Sequence, residues 1–313
     1  MIIVTGGAGF IGSNIIKALN DRGITKIIVV DSFKNSTKHL NLNKLKVSDF
    51  IDKQDFLKHL PNFKNIQTIF HQGACSNTME TDGIYMMQNN FEYSKELLNF
   101  SLANNIDFLY ASSASVYGNG DTGFREEAPC EYPLNIYAFS KLFFDNYVRQ
   151  ILQNKNLSSQ VLGLRYFNVY GYNENHKGTM ASVVYHMMNQ IKDGQPMKLF
   201  EGSENFIRDF VFVEDAVKVN LFCFDNKTTG IYNCGTGKAE SFVEIANTLQ
   251  KENKSAQIEY IPFPDKLKGK YQAYTQADLT NLRQEGYTEP FHTLAQGVSK
   301  YYKVFQKTGG YIV

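Results

Sequence analysis

The chain of 313 residues has no tryptophan, only four cysteines, and almost no net charge, at +1. The cysteines, Cys75, Cys130, Cys223 and Cys234, are scattered and form no CxxC pair, which argues against both a disulfide framework and a thiolate metal site. The six histidines show no HExxH spacing. We therefore expect reduced, mostly buried thiols and no metal site.

Long apolar runs and blocks of like charge are missing as well. A nucleic-acid binder usually presents a basic face, and a membrane span needs about 20 consecutive apolar residues. The sequence opens directly on an apolar strand pattern, which leaves no room for a signal peptide. We therefore expect a cytoplasmic protein that has neither a nucleic acid nor a membrane as partner.

Strand and helix patterns alternate through the first half of the chain. Short apolar runs predict strands at 1–4, 27–30, 68–71, 108–112 and 161–165. Helical patterns lie between them at 14–19, 82–104 and 135–153. This alternation predicts βαβ units and hence a doubly wound, Rossmann-type parallel sheet of the α/β class.

The second half predicts a smaller C-terminal α/β cap that binds substrate. We assign 1–167, with returns near 210–237, to the dinucleotide domain, and 168–209 with 238–313 mainly to the cap. Apolar runs at 210–213 and 230–234 predict returns to the sheet, whereas 258–278 is irregular and the tail 307–313 is expected to fray. Ligands should lie at the carboxyl ends of the strands, beneath the cap.

The most informative motif is Thr5-Gly6-Gly7-Ala8-Gly9-Phe10-Ile11-Gly12. It lies between a predicted strand and a predicted helix, as a dinucleotide-binding turn must. The glycines allow the tight turn and the close approach of a pyrophosphate, and the helix N-terminus favours negative charge. Asp31 ends the next strand, at the position where an acidic residue contacts the adenosine ribose.

Tyr137 and Lys141 are four residues apart in a predicted helix, so they share one face. A tyrosine hydroxyl has a pKa near 10, and lowering it by about three units needs roughly 4 kcal/mol of phenolate stabilisation. A neighbouring ammonium and an oxidised nicotinamide can supply it. Ser113 lies in the segment Ala111 to Gly118, directly after a predicted strand, where it can bind a substrate hydroxyl or carbonyl.

TGGAGFIG, SSASVYG and YAFSK together resemble the extended short-chain dehydrogenase/reductase family over nearly the whole chain. This resemblance implies that Ser113, Tyr137 and Lys141 act with a nicotinamide cofactor. The blocks RYFNVYG, NHKGTMAS, LFEGS, RDFV and FPDKLKGKYQ further resemble the ADP-glyceromanno-heptose 6-epimerases. That similarity implies an isomerase that interconverts ADP-D-glycero- and ADP-L-glycero-D-manno-heptose for lipopolysaccharide core synthesis, and a homo-oligomer, with a pentamer suggested.

The same resemblance implies a role for many residues. It makes Lys177 a second acid–base group beside Tyr137. Its expected cofactor contacts are Gly6, Gly9, Phe10, Ile11, Gly12, Asp31, Ser32, Lys38, Lys53, Gln72, Gly73, Ala74, Cys75, Ser76, Asn89, Lys141, Val169 and Lys177. Its expected substrate contacts are Ser113, Asn168, Thr179, His186, Phe200, Glu201, Gly202, Ser203, Arg208 and Tyr271.

Several of these residues have a second interpretation. Asp31 favours NAD, because a carboxylate repels a 2′-phosphate, whereas Lys38 and Lys53 favour NADP. We expect NADP, with NAD as the alternative. Arg208 suits the ADP pyrophosphate but could instead pair with Asp209. His186 could be a half-buried core histidine, and Lys177 an ordinary surface lysine.

Three other functions are compatible with the fold. A dehydratase needs a carboxylate beside the catalytic hydroxyl, and Ser113-Ala114-Ser115 offers none. A UDP-sugar 4-epimerase is the main alternative. A non-catalytic dinucleotide sensor is the other, although such proteins tend to lose the tyrosine or the lysine.

Overall fold

The computed structural model describes residues 1–154, 156–264 and 272–312. Its strands are β1 (Ile2–Thr5), β2 (Ile27–Asp31), β3 (Asp49–Asp52), β4 (Thr68–His71), β5 (Asp107–Ser113), β6 (Val161–Tyr166), β7 (Asn168–Tyr170), β8 (Met197–Phe200), β9 (Ile207–Phe212), β10 (Gly230–Cys234), β11 (Ala239–Ser241) and β12 (Ile258–Ile261).

The helices are α1 (Phe10–Asp21), α2 (Lys53–His59), α3 (Gly83–Met87), α4 (Tyr93–Ala103), α5 (Ile136–Leu152), α6 (Val183–Lys192), α7 (Val213–Asp225), α8 (Phe242–Glu252), α9 (Thr280–Gln284) and α10 (Leu294–Thr308). A π-helical turn, Gln88–Glu92, joins α3 to α4. The predicted helix at 82–104 is thus confirmed, but with an irregular centre. No helix in the described part of the chain is long and apolar enough to cross a membrane.

A seven-stranded sheet forms the centre of the molecule, in the order β3-β2-β1-β4-β5-β6-β10. All its pairs are parallel, and β1 lies between β2 and β4 with Ile2 opposite both Ile27 and Thr68. The chain moves outward from β1 in one direction and then from β4 in the other. Crevices at such reversals, beyond the carboxyl ends of the strands, bind ligands. The predicted doubly wound α/β class is confirmed.

A smaller part contains a three-stranded sheet, β11-β9-β7, and the parallel pair β12-β8. These elements and helices α6, α8 and α10 share a second apolar core, which includes Val184, Met187, Ile245 and Val298. The return predicted at 210–213 is wrong, because β9 pairs with β7 and β11 rather than with the large sheet. The chain returns instead through α7, which packs beside α1, and through β10.

Two further elements and the tail differ from the expectations. Strand β3 and helix α2 have few fully buried residues, so their sequences carry little periodicity. The region 258–278 contains β12, while residues 265–271 lie outside the described part. The tail does not fray within the described residues, since the Ile312 N–H donates to Asn173 Oδ1 at 3.0 Å.

Candidate active site

The turn between β1 and α1 can be built only with glycine at two of its positions. Gly6 has φ of +66°, and a Cβ there would lie 2.7 Å from the Gly73 nitrogen. A Cβ on Gly12 would lie 2.3 Å from the Gly6 carbonyl oxygen. The backbone of the turn therefore packs against the 72–76 loop after β4 without side chains between them, which is the cradle that a pyrophosphate needs.

Asp31, at the end of β2, stabilises this turn by hydrogen bonding. Its Oδ2 accepts a hydrogen bond from the Ala8 N–H at 2.9 Å. Its Oδ1 accepts from the Ser32 N–H and from Lys38 Nζ, each at 2.7 Å. The carboxylate is buried and paired with an ammonium, so its charge is largely offset.

Lys53 adds a second cation at this end of the cleft. Its Nζ donates to Asn89 Oδ1 at 2.6 Å. Burial lowers the pKa of Lys53, and the neighbouring Lys34 and Lys38 lower it further, while Asp31 opposes them. Lys38 therefore pairs with Asp31 while Lys53 and Lys34 add positive charge nearby, an arrangement that suits an anion.

Gln72 carries an unsatisfied donor beside the glycine turn. Its Oε1 accepts from the Tyr166 hydroxyl at 3.1 Å, and its backbone N–H donates to the Thr5 carbonyl at 3.0 Å. Its buried Nε2 has no partner within the described residues. Because an unpaired buried donor costs about 1–3 kcal/mol, this amide and the glycine cradle together fit a bound dinucleotide.

The π-helical turn holds the 72–76 loop in place. Asn90 Oδ1 accepts from the Cys75 N–H at 2.8 Å, and its Nδ2 lies 3.0 Å from the Cys75 carbonyl oxygen. The same amide lies 3.1 Å from Ser140 Oγ on α5. Sequence reasoning named Asn89 but missed Asn90; two asparagines inside a helix, where their propensity is poor, are the one signal that could have indicated it.

His71 was also missed. Ser94 Oγ donates its single proton to the Asn90 carbonyl at 2.6 Å, so it accepts from His71 Nε2 at 2.8 Å. His71 Nδ1 then accepts from Thr5 Oγ1 at 2.6 Å, and Thr5 Oγ1 accepts from the Gly73 N–H at 3.2 Å. Burial, with Lys141 nearby, lowers the pKa of His71 to about 3, which keeps this chain of hydrogen bonds neutral.

Ser113, Tyr137 and Lys141 meet at the end of β5. Asn135 caps α5 by accepting from the Ala138 N–H at 2.9 Å, which places Tyr137 and Lys141 one turn apart. Burial raises the pKa of Tyr137, and the hydrogen bond with the Ser113 hydroxyl opposes this. The phenol is therefore protonated unless a further positive charge comes close.

Lys141 can provide part of that charge. The side chain is buried, and its Nζ donates to the Ala111 carbonyl at 2.8 Å. Burial lowers the pKa of Lys141 to about 8, while Asp145, one turn further along α5, raises it. Lys141 remains mainly cationic at neutral pH.

Lys177 lies over the start of α1 rather than in open solvent. It belongs to the short 3-10 helix Asn175–Met180, and its Nζ is 5.0 Å from the centre of the Phe10 ring. Burial lowers the pKa of Lys177, and Glu174 opposes the shift. A desolvated lysine beside the dinucleotide turn is suited to proton transfer.

Arg208 and Ser203 belong to the smaller part. Arg208 is buried in β9, where its Nη1 donates to the Ile207 carbonyl at 3.0 Å and its guanidinium lies 5.8 Å from the Phe242 ring centre. The neighbouring Asp209 carboxylate accepts from Thr236, Gly237 and Ala277. The side chains of adjacent strand residues point to opposite faces of a sheet. Asp209 therefore points away from Arg208 and binds the loops on the other face of β9. Ser203 Oγ is buried without a partner among the described residues.

The other expected substrate positions are more dispersed. Phe200 packs edge-on against Phe263, and Gly202 adopts a left-handed conformation with φ of +78°. Asn168, Thr179 and Glu201 are exposed. His186 is half-buried beside Tyr185 and, within the described residues, its ring forms no hydrogen bond with another predicted site residue. Tyr271 lies outside the described residues.

Known proteins share both the sequence and the fold. The NAD dependent epimerase/dehydratase family matches residues 2–235. The chain belongs to this family. It is 60% identical, over the full length of both chains, to the ADP-L-glycero-D-manno-heptose-6-epimerase of Brachyspira hyodysenteriae.

Solved structures agree with this assignment. The Helicobacter pylori ADP-L-glycero-D-manno-heptose-6-epimerase is 31% identical, with a TM-score of 0.85 over 97% of this chain and 96% of that one. Thermus thermophilus UDP-glucose 4-epimerase, solved with NAD, is 26% identical, with a TM-score of 0.82 over 98% of this chain and 99% of that one. The family resemblance and the nicotinamide-dinucleotide fold predicted from the sequence are confirmed.

Family membership also bears on the chemistry. The chain belongs to the epimerase/dehydratase family and is 60% identical to a heptose epimerase, so the enzyme prediction is confirmed and a sensor is not favoured. Among the described residues, no group of three or more histidine, cysteine or acidic side chains could hold a metal ion. The site is an arrangement of hydroxyls, ammonium groups and backbone N–H groups.

Proposed function

We propose that the protein inverts C6 of the heptose in ADP-glycero-D-manno-heptose, and so interconverts the D-glycero and L-glycero epimers. The observation that carries this proposal is the 60% identity to the Brachyspira enzyme over the full length of both chains. The identity to a UDP-glucose 4-epimerase is much lower, at 26%. A 4-epimerase on this fold is therefore not favoured.

The substrate itself dictates the route. C6 is not adjacent to a carbonyl, so direct removal of its proton would be prohibitively slow. Transient oxidation to a 6-keto sugar avoids this, since a ketone can present either face to the returning hydride. The nicotinamide, when bound, supplies the chemistry of taking up and returning that hydride.

Tyr137 is the group that we assign to move the hydroxyl proton. The Ser113 hydroxyl supports its phenolate by hydrogen bonding and orients the substrate oxygen, while the Lys141 ammonium stabilises the negative charge. General acid–base catalysis by such a group typically contributes 10²–10⁴-fold.

Lys177 is the second acid–base group in this proposal. Inversion exposes opposite faces of the sugar carbon, so proton transfer is needed from two sides. Burial of Lys177 lowers its pKa, which makes the neutral amine easier to reach than for an exposed lysine and supports this role.

We propose NADP as the cofactor. The Asp31 carboxylate, which would repel a 2′-phosphate, already accepts hydrogen bonds from Lys38, Ser32 and Ala8. Lys38, Lys53 and the nearby Lys34 offset its charge and would attract a phosphate. The remaining proposed cofactor contacts are Gly6, Gly9, Phe10, Ile11 and Gly12 at the turn, Gln72 to Ser76, Asn89 and Val169.

The ADP moiety is assigned to the smaller part. Arg208 is the proposed pyrophosphate partner, because a guanidinium matches phosphate geometry. The Ser203 hydroxyl, which has no partner in the part of the chain that the structure describes, and the left-handed Gly202 beside it support a polar ligand at this end. Asn168, Thr179, His186, Phe200, Glu201 and Tyr271 are the remaining proposed contacts.

The proposal is tested with purified protein and ADP-D-glycero-D-manno-heptose, followed by proton NMR of the heptose. We expect the L-glycero epimer to appear without net reduction of cofactor. Tyr137→Phe should lower turnover by about 10²-fold or more while retaining NADP binding, and the exposed Tyr132→Phe serves as a matched control. Conversion of UDP-galactose in place of the heptose would refute the substrate assignment.

Assembly and location are also part of the proposal. We propose a homo-oligomer in the cytoplasm, with the pentamer implied by the resemblance as the expected form. The exposed Phe139 and Phe143 on α5, 42% and 45% accessible, support burial against a second copy of the chain. Light scattering after size exclusion and cell fractionation test the two statements.

A further inference from the structure

We propose that Asn41 is a positioning residue for Lys177, because it ties the segment that carries Lys177 to the segment that carries Lys38. We name these the Lys177 segment, Asn175–Met180, and the Lys38 segment, Ser36–Asn41. The inference deepens the proposed function, since it rests on Lys177 acting in catalysis. The hydrogen bonds of Asn41 would then make the Lys177 segment and the Lys38 segment move together.

Asn41 joins three parts of the site through one amide. Its side chain is 4% exposed. Its Nδ2 donates to the Ala8 carbonyl at 2.9 Å, lies 3.1 Å from the Asn173 carbonyl oxygen and is 3.2 Å from His176 Nδ1. Ala8 belongs to the dinucleotide turn, and His176 directly precedes Lys177, so the amide bridges the turn and the Lys177 segment.

His176 has the protonation state that this bridge requires. Burial and the ammonium groups of Lys38 and Lys177 lower its pKa to about 4, against smaller opposing effects of Asp31 and of a hydrogen bond with the Asn173 backbone. At neutral pH the ring is therefore uncharged, and in the tautomer that carries its proton on Nε2 its Nδ1 accepts a hydrogen bond from the Asn41 amide.

Asn35 makes a second tie between the same segments. Its Nδ2 donates to the His176 carbonyl at 3.0 Å, and its Oδ1 caps the Lys38 segment by accepting from the Thr37 N–H at 3.1 Å. Lys38 in turn forms an ion pair with Asp31, with 2.7 Å between Nζ and Oδ1. The Lys38 segment is therefore hydrogen-bonded to both the side chain and the backbone of His176. An anion that binds Lys38 would affect the Lys177 segment through these bonds.

The consequence for catalysis is geometric. Glu174 anchors the start of this region to Gly171 and Ser182, and its carbonyl accepts from the Lys177 N–H at 3.0 Å. The bonds to His176 add the tie to the Lys38 segment. Gly178, directly after Lys177, has φ of +55° and interrupts the helix, so regular helix does not hold Lys177 from that side. Since a misplacement of 1 Å can cost about 10²-fold in rate, loss of the bridge should impair Lys177 without removing it.

Hydrogen exchange of the whole protein tests the coupling without relying on activity. In the unchanged protein, NADP⁺ should slow exchange in peptides that cover 36–45 and in peptides that cover 174–182. In Asn41→Leu and in His176→Phe, we expect protection of 36–45 to remain and protection of 174–182 to be largely lost. Asn43→Ala, an exposed asparagine in the same stretch, should behave like the unchanged protein.

The outcomes separate this inference from the proposed function. Equal protection of 174–182 in the variants and the unchanged protein would overturn the inference, and His176→Phe gives this readout even if Asn41→Leu folds poorly. If NADP⁺ protects neither region of the unchanged protein, the cofactor assignment fails instead. In turnover, both variants should lower kcat by about 10–10²-fold with little change in KM for the sugar nucleotide.

Discussion

At the scale of single residues, the charge of Lys141 should set the alkaline limit of activity. Its folded-state pKa lies near 8, lowered by burial, so the side chain is cationic below that pH and neutral above it. As the pH rises through about 8, the support for the Tyr137 phenolate disappears. We expect kcat to fall on the alkaline side with a midpoint no higher than about pH 8.

Lys141→Arg provides the matched test, because a guanidinium stays protonated beyond pH 12. The variant should be slower, since its geometry differs, but its alkaline decline should be absent between pH 7 and 10. The measurement is the pH profile of epimer formation by NMR. An identical decline in both proteins would show that another group titrates.

His71 should make the protein less stable in mild acid. Its pKa is near 6.5 in the unfolded chain and about 3 in the folded one, so between these values the unfolded state binds more protons. Stability is therefore fully present above pH 6.5 and is lost as the pH falls toward 3, by up to about 1.4 kcal/mol per pH unit. His176, with a pKa of about 4, acts in the same direction.

Urea unfolding between pH 5 and 7.5 measures this effect. His71→Asn should show a shallower decline over that range, since unfolding takes up as much as one proton fewer, together with a loss of about 1–3 kcal/mol at pH 7.5 from the lost hydrogen bonds with Thr5 and Ser94. The exposed His59→Asn is the control. A slope equal to that of the unchanged protein would mean that His71 is already charged when folded.

At the scale of elements, α5 is attached to the sheet through buried ions. Arg165 in β6 is fully buried and donates to Asp145 Oδ2 at 2.9 Å and to Glu131 Oε1 at 2.6 Å. Asp145 also accepts from Tyr110 and Ser112 of β5, at 2.8 and 2.9 Å. The helix that carries Tyr137 and Lys141 is thereby held in register with both strands.

Removing one ion from this cluster should be costly. Arg165→Met leaves the buried Asp145 carboxylate without its cation and Glu131 with Arg149 alone, which should lower the free energy of unfolding by about 3–5 kcal/mol. Arg149→Met removes the more exposed partner of Glu131, at 28% accessibility, and should cost about 1 kcal/mol. Urea unfolding of both compares them, and equal losses would show that Arg165 is not the principal counter-ion.

Regular elements could be predicted from local pattern, whereas irregular ones could not. The apolar runs of β1, β2 and β4 and the spacing of α5 are properties of neighbouring residues, so they were visible in the sequence. The π-helical turn exists because Asn90 binds Cys75 and Ser140, and those partners become neighbours only in the folded chain. Strand β9 was misplaced for the same reason, since its partners β7 and β11 are set by tertiary packing.

At the scale of the whole molecule, the site residues divide in the same way. Ser113, Tyr137, Lys141 and the glycine turn follow from spacing and chemistry, and Lys177 and Arg208 follow from family resemblance. Asn41 and His71 carry no such signal, and Asn90 has only the weak signal of an asparagine inside a helix, because a buried amide or imidazole is recognised mainly by what it contacts. The sequence therefore indicates the proposed reacting groups more readily than the network that holds them.

The C-terminal tail is the long-range part of that network. The Gly309 carbonyl accepts from Asn175 Nδ2 at 2.6 Å, the Gly310 carbonyl accepts from the Asn173 N–H at 2.9 Å, and the Ile312 N–H donates to Asn173 Oδ1 at 3.0 Å. The tail thus holds Asn173, which precedes the Lys177 segment, and Asn175, the first residue of that segment. Removing residues 309–313 should lower thermal stability and reduce kcat, because these three bonds hold the chain just before Lys177.

The affinity for NADP should change less than kcat in the truncated protein, since the tail makes no hydrogen bond within the described residues to the glycine turn, Asp31 or Lys53. The three lost bonds are each worth about 1 kcal/mol, which sets the expected loss in unfolding free energy at about 3 kcal/mol. Gln306→Ala, an exposed change on α10, controls for the helix itself. The measurements are calorimetry, cofactor titration and turnover on the same samples. If the truncated protein has an unchanged melting temperature and an unchanged kcat, the tail does not position Lys177. The hydrogen bonds of Asn35 and Asn41 would then be sufficient to position it.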